Sequence, residues 1–253
     1  MKMETQRNDM ADQSTVERVE TVGRRTQETG RGLEAFQRYT SRMLDLPEEI
    51  SDAIAFMRGH LRGLIRFDTE YLPIKVVFAP DGRLIAPVME AMLLSTDCAL
   101  YLPEEPESDD DRIVQLMVTL DRFEESGPDG VLADRWRIYH GEPDDVRWAA
   151  MTVDFCKFAG YAFDGEAVMS PNPLAEAEAT LCRSVNADRE GDLRRLALER
   201  AEVEVESPRL VGVDPLGLDI RGRFEVIRIG FETPAGDQDA AAIQIARLLD
   251  GDR

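Results

Sequence analysis

The stretch "NADREGDLRRLALERAEVEVESPRLVGVDPLGLDIRGRFEVIRIGF", residues 186–231, decides the architecture. It opens on polar Asn-Ala-Asp, passes through a run with Leu193 and Leu196, and ends in apolar segments. The leucine spacing predicts a helix over about 187–200. Asn186 or Asp188 is expected to cap it, because a short side-chain oxygen accepts the free N–H groups of a first turn. "RLVGVDPLGLDI" and "RFEVIRIGFE" then read as a hairpin-like pair around Arg221-Gly222-Arg223. "DQDAAAIQIARLL", from 237, closes the chain as a short helix. Upstream, a further helix is expected from Leu174 to Val185, so the polar segment 184–189 is a joint between two helices. "SPNPL" (170–174) breaks the chain before this unit with two prolines and an asparagine.

Ahead of that break the pattern is different. "PIKVVFAPDGRLIAPVMEAMLL", from Pro73, reads as strand, turn, strand about Pro80-Asp81-Gly82. "CALYLP" and "RIVQLMVTLDRFEE" are further strands, separated by the acidic loop "EEPESDDDR" (104–112). A helix is expected around Leu132–Tyr139, and "MTVDFCKFAGYAFDGEAVM" alternates as strands do. Before the strands, Ile50, Ile54, Met57, Leu61 and Ile65 recur every three or four residues and predict an amphipathic helix after Pro47-Glu48-Glu49. Residues 1–30 are almost wholly polar. The chain therefore divides into a helical or disordered arm (1–45), a strand-rich domain (46–170) and a small C-terminal α+β domain (171–253).

With 253 residues, 43% of them hydrophobic, the chain is long and apolar enough to bury a substantial core. Its net charge of −20 repels phosphate backbones and anionic lipid surfaces, which argues against nucleic-acid and membrane partners. No run approaches membrane-spanning length, and the polar N-terminus has no signal-peptide core. Cys98, Cys156 and Cys182 lie far apart with no CxxC pair. That disfavours zinc or redox chemistry and fits a reducing cytoplasm.

Candidate chemistry is sparse. There is no GxxxxGK[ST] and no GxGxxG. The acidic loop lacks the spacing of a calcium loop and reads as a solvated turn. The two histidines, His60 and His140, have no second ligand-type residue beside them. Ordinary packing is the commoner use of such residues, while imidazole keeps a ligand role open. Trp136, Tyr139 and Trp148 suit a core, or the wall of a flat ligand's pocket.

Several segments resemble known families. "NAD" at the helix joint, "GVDPLGLDIR" (212–221) and "VIRIGF" (226–231) resemble the C-terminal domain of HugZ-type haem-utilisation proteins and of the plant glutamyl-tRNA reductase-binding protein. "VVFAPDGRLIAPVMEAML", "CALYLP", "VQLMVTLDRFE", "DRWRIYHGEP" and "VDFCKFAGYAFDGEAVM" resemble the pyridoxamine 5'-phosphate oxidase-like split barrel. The resemblance spans about residues 50–250. It implies an α+β fold: a six-stranded antiparallel split β-barrel that forms a homodimer, followed by a small α+β domain. It further implies FMN at the dimer interface, or haem bound and degraded, or a regulatory binding role in tetrapyrrole synthesis.

Two departures bear on those cofactors. Flavin-binding relatives carry a basic segment where this chain has "EEPESDDDR", so a phosphate meets acids there. Lys75, Arg83 and Arg112 are the cations left to serve it. Haem-binding relatives carry histidines flanking "NAD", where this chain has Ser184 and Arg189. His140, with His60, Cys182 or Tyr139 as alternatives, would then have to hold an iron. The sequence commits to neither FMN nor haem. It leaves open whether the protein is an enzyme, and favours a binding protein for a tetrapyrrole, another flat ligand or a protein partner.

Overall fold

The computed structural model of the chain describes residues 47–105, 112–143 and 147–251. The arm expected over 1–45 and most of the acidic loop lie outside these residues. Helix α1 (Glu48–Gly59) follows Pro47 and carries Glu48 and Glu49 in its first turn, where carboxylates meet the positive end of the helix dipole. Ala53, Ile54 and Met57 are its buried face. The apolar stripe predicts a helix running on to Ile65, but the helix stops at Gly59 and Ile65 belongs to strand β1 (Arg62–Phe67). Within β1, burial alternates through Gly63, Ile65 and Phe67 with the two-residue period of a strand. A Cβ on Gly63 would stand 2.2 Å from the Tyr101 carbonyl oxygen, so β1 approaches its neighbour closely because residue 63 has no side chain.

Seven further strands complete the large sheet: β2 (Glu70–Lys75), β3 (Val77–Phe78), β4 (Leu84–Pro87), β5 (Cys98–Leu102), β6 (Val114–Phe123), β7 (Trp148–Phe158) and β8 (Tyr161–Asp164). Their order is β2-β1-β5-β6-β7-β4-β3, with β8 paired to β7, and every pairing is antiparallel. Gly82, at φ 94°, closes the β3–β4 turn with a bond to the Ala79 carbonyl. Ala159 and Gly160 both have positive φ and form the β7–β8 hairpin turn, the backbone twist that suits two-residue hairpins. Opposite the Met117–Val118 step of β6, β7 carries one extra residue, Asp154, and this bulge bends β7 and helps curl the sheet into a half-barrel.

Inside the curl, Ala53, Ile54 and Met57 of α1 pack with Ile65, Leu100, Leu116 and Met151. Each such large side chain taken fully out of water contributes roughly 1.5–3 kcal/mol. Helices α2 (Glu90–Leu94), α3 (Gly130–His140) and α4 (Gly165–Val168) decorate the sheet. The inner face of α3, with Leu132, Ala133, Trp136 and Tyr139, buries against Val77, Ile85, Trp148 and Ala150.

The C-terminal unit comprises α5 (Ala175–Asp188), α6 (Glu190–Ala201), β9 (Arg209–Asp214), β10 (Gly217–Arg221), β11 (Val226–Gly230) and α7 (Gln238–Asp250), around its own apolar cluster. Residues 209–220, expected as one strand, are two. Asp214 accepts the Leu216 N–H at 2.8 Å, and Pro215 has no N–H to continue a ladder, so the chain turns there. The helix joint also differs from expectation. Helix α5 continues through Asn186 to Asp188 and the break falls at Arg189, with no side-chain cap on α6. Asn186 is used elsewhere: its Oδ1 accepts the Leu210 N–H and its Nδ2 donates to the Leu210 carbonyl, both at 2.8 Å. Arg189 binds Asp192 and reaches Asp250 of α7 at 2.7 Å.

Candidate functional site

Sheet and C-terminal unit meet on a buried ionic cluster. Arg58 of α1 donates to Asp214 at 2.9 Å and to the Ser170 carbonyl at 2.9 Å. Arg135 of α3 grips Glu178 of α5 with both terminal nitrogens and the Phe78 carbonyl with Nε. Tyr139 donates its hydroxyl to Asp219 at 2.9 Å. Arg228 of β11 spans Asp214 and Asp219. Three guanidiniums thus face three carboxylates, and Glu178 takes the Val213 N–H as well. No buried side-chain nitrogen or oxygen among the described residues lacks a partner.

Burial alone would raise the Asp214 carboxyl, but Arg228 and Arg58 hold it well below the usual carboxylate range. Burial raises the Asp219 carboxyl from its ordinary value, with Arg228 opposing and nearby Asp214 adding to the effect. Gly212 lets Tyr139 in: a Cβ there would lie 1.6 Å from the Tyr139 oxygen. The residues of "GVDPLGLDIR" are therefore a latch between the large sheet's helices and the small sheet: Gly212 gives room, Asp214 and Asp219 give charge, and Gly217 clears the Ile229 carbonyl. The void at this latch, about 10 Å³, is too small for a ligand.

A second feature has room. Gly59, His60, Leu61, Arg62, Pro103, Glu104, Glu105, His140, Glu225 and Val226 line a cleft of about 450 Å³, within the roughly 300–1,000 Å³ range of small-molecule sites. The end of α1, the end of β5, the end of α3 and the start of β11 build it. Both histidines of the chain meet there, from positions 80 residues apart in sequence. His60 Nδ1 lies 2.7 Å from the Phe56 carbonyl and His140 Nε2 lies 2.9 Å from the Val76 carbonyl. A carbonyl only accepts, so those ring nitrogens carry the hydrogens. In the neutral rings, Nε2 of His60 and Nδ1 of His140 are then the nitrogens with free lone pairs. This is the arrangement in which a backbone carbonyl orients a ligating imidazole. Burial drops the His140 pKa to about 4, with the charges of Lys75, Arg62 and Arg221 lowering it and the Val76 bond opposing. The ring is neutral at pH 7.

Of the cations singled out from sequence, Lys75 lies at the end of β2, close enough to act on His140, and its carbonyl accepts the Trp136 indole N–H at 2.9 Å. Arg83 is turned back onto Asp81 at 2.8 Å beside the β3–β4 turn. Arg112 lines a different cleft with Tyr101, Gln115 and Lys157, and its guanidinium stands 5.6 Å over the Phe56 ring. That ring also contacts His60 at 4.1 Å. Within one chain, therefore, Lys75 and His140 come together, Arg112 is one ring removed from His60, and Arg83 stands apart. A phosphate fits the histidine cleft poorly, because Glu104, Glu105 and Glu225 line it against Arg62.

The other ligand candidates drop out on geometry. Tyr139 is buried, bonded to Asp219, and its phenol is pushed far up by burial. Burial raises the Cys156 thiol to about 11 and the Cys182 thiol to about 12, so neither is a thiolate at neutral pH. Trp136 and Trp148 are core residues in edge contact, not walls of a cleft. No group of three or more His, Cys, Asp or Glu among the described residues is placed to hold a metal ion.

Comparison with known proteins locates the fold. No family model matches the sequence, and no curated protein does. A protein of unknown function from Agrobacterium tumefaciens shares the fold at 16% identity, with a TM-score of 0.63 over 81% of this chain and 97% of its own. A heme binding protein from Mycobacterium smegmatis aligns at 18% identity over 81% of this chain and 98% of its own, with a TM-score of 0.41. The first likeness establishes a curled half-barrel sheet joined to helices and a small sheet. No helix among the described residues is long and apolar enough to cross a membrane.

Proposed function

We propose that the protein is a binding protein of the split-barrel type, whose two-histidine cleft receives a flat, iron-bearing tetrapyrrole held by His60. The carrying observation is that both histidines of the chain line this cleft, with backbone carbonyls fixing the tautomer of each. In the neutral ring, His60 Nε2 is a ligand-type nitrogen, and Phe56 braces the ring from beneath. His140, neutral and anchored on Val76, serves as the second wall and as an acceptor through Nδ1. A bound iron tetrapyrrole would supply its own redox and gas-binding chemistry. What the chain contributes is an oriented imidazole, a neutral partner ring and an acidic rim that disfavours phosphate and requires the tetrapyrrole's own carboxylates to face solvent. The resemblance to haem-utilisation proteins points the same way, and the acidic lining disfavours the flavin alternative. We place the protein in the cytoplasm, where its three free cysteines stay reduced, and take it to work as a homodimer of two-domain subunits divided near residue 170.

The test is a visible-absorbance titration of the purified protein with haemin and, separately, with FMN. Haemin is expected to give a saturable Soret shift that His60→Ala abolishes and His140→Ala weakens, while FMN keeps the spectrum of the free flavin. A Soret shift unchanged in His60→Ala, or none in the wild type, would overturn the assignment. Tight FMN binding would favour an oxidoreductase.

A further inference from the structure

On the far side of the β10–β11 turn from the histidine cleft lies a groove of about 680 Å³, lined by Ile138, Asn186, Ser207, Arg209, Arg221 and Arg223, with Glu206 at its side. It concentrates positive charge on a chain whose net charge is −20. Arg209 and Arg221 are direct cross-strand partners on β9 and β10, so the two side chains share one face of the small sheet. Like charges placed opposite each other destabilise a sheet. Neighbouring carboxylates do not relieve this pair: among the described residues neither Arg209 nor Arg221 forms a salt bridge, and Glu206 is 3.6 Å from Arg223 at an exposed position.

Arg221 is held in place by neutral groups. It donates to the carbonyls of Arg137 and Ile138 at the end of α3, which orients its guanidinium without cancelling its charge. Arg209 makes one long bond, 3.4 Å, to the Asn186 carbonyl. The buried cluster shows the contrast: at the latch every arginine is matched to a carboxylate. Here three guanidiniums meet one rim carboxylate in an open groove.

We propose that this groove binds a phosphate-bearing small molecule, whose anionic oxygens bridge Arg209 and Arg221 and are closed over by Arg223. Guanidinium forks match phosphate oxygens two at a time, and an anion between the paired arginines turns a repulsion into two attractions. The apolar side of the groove, with Ile138 and Val211, gives the rest of the molecule a surface to lie on. This site shares no lining residue with the histidine cleft, although Arg221 also acts on His140, and its test does not depend on tetrapyrrole binding.

The experiment is isothermal titration of the full chain with inorganic pyrophosphate at constant ionic strength, which keeps screening fixed. Saturable binding is expected. Arg209→Gln and Arg223→Gln should each weaken it about 10- to 100-fold, the usual cost of one charged hydrogen-bond donor. Arg122→Gln, on the sheet unit, should leave it unchanged. Both test positions are exposed, so the variants are expected to keep the wild-type melting temperature without ligand. Absence of saturable binding at millimolar pyrophosphate would overturn the proposal, as would equal affinity in the wild type and the two groove variants.

Discussion

Acidification should unfold this protein partly through one imidazole. His140 has a folded-state pKa of about 4, because burial penalises its cation. In the unfolded chain a histidine titrates near about 6.5. The folded value lies below the unfolded one, so between them the unfolded chain binds the proton that the folded chain refuses. The associated stability is fully present above about pH 6.5 and is lost as the pH falls toward 4. Between pH 7 and pH 5 the linkage amounts to about 2 kcal/mol, an upper figure because the ring opens partly onto the cleft. Ordinary carboxylates begin to titrate at the lower end of that window and add a background common to wild type and variant. Asp219, whose carboxyl is raised by burial, works in the opposite sense, so the quantity to measure is a difference between variants. His140→Gln keeps a side-chain N–H for the Val76 carbonyl and removes the titration. Urea unfolding at pH 7, 6 and 5 should show the wild type losing about 2 kcal/mol more than His140→Gln across the range. Parallel losses in the two proteins would refute the reasoning, as would a His140 ring proton that titrates near 6.5 by NMR in the folded state.

Gly212→Ala should destabilise the protein by about 1–3 kcal/mol, since its methyl collides with the Tyr139 oxygen. In a Tyr139→Phe background, where that oxygen is gone, the added cost measured by urea unfolding should be smaller. Arg135→Leu should cost about 3–5 kcal/mol by stranding the Glu178 carboxylate, and adding Glu178→Leu should recover much of it in thermal unfolding. Tyr71, Phe155 and Tyr161 are large and exposed on the strand unit, and sedimentation velocity at micromolar concentration should show a dimer; a monomer there would remove the homodimer.

The half-barrel is legible because its strands announce themselves at short range, by period-two alternation and a Pro-Asp-Gly turn between apolar runs. The helix stripe through Ile65 misleads because the spacing of Ile54, Met57 and Leu61 continues by chance into a strand of the same apolar residues. The punctuation by Gly59 and Gly63 is the better signal there. The turn at Pro215 is written in the sequence too, as Asp-Pro, but apolar residues flank it on both sides and hide it. The latch is not legible. Arg58 and Asp214 are 156 positions apart, and nothing local to either says that the other waits across an interface. A faint clue exists in retrospect: acids at 214 and 219 sit inside apolar strands, where a charge needs a partner. The histidine cleft is equally hidden, since His60 enters it through a helix end and His140 through another, and chain distance carries no information about either.

The asparagine that opens residue segment 186–231 ends up as a false strand. β9 is an outer strand of the small sheet, and its Leu210 amide and carbonyl would otherwise face outward unpaired. The carboxamide of Asn186 meets both, donor to acceptor and acceptor to donor, as a neighbouring peptide would. One side chain thereby occupies the rung on which a second molecule would begin to add its own strand. The edge is closed to that kind of association at its second residue, by a helix that is already part of the fold.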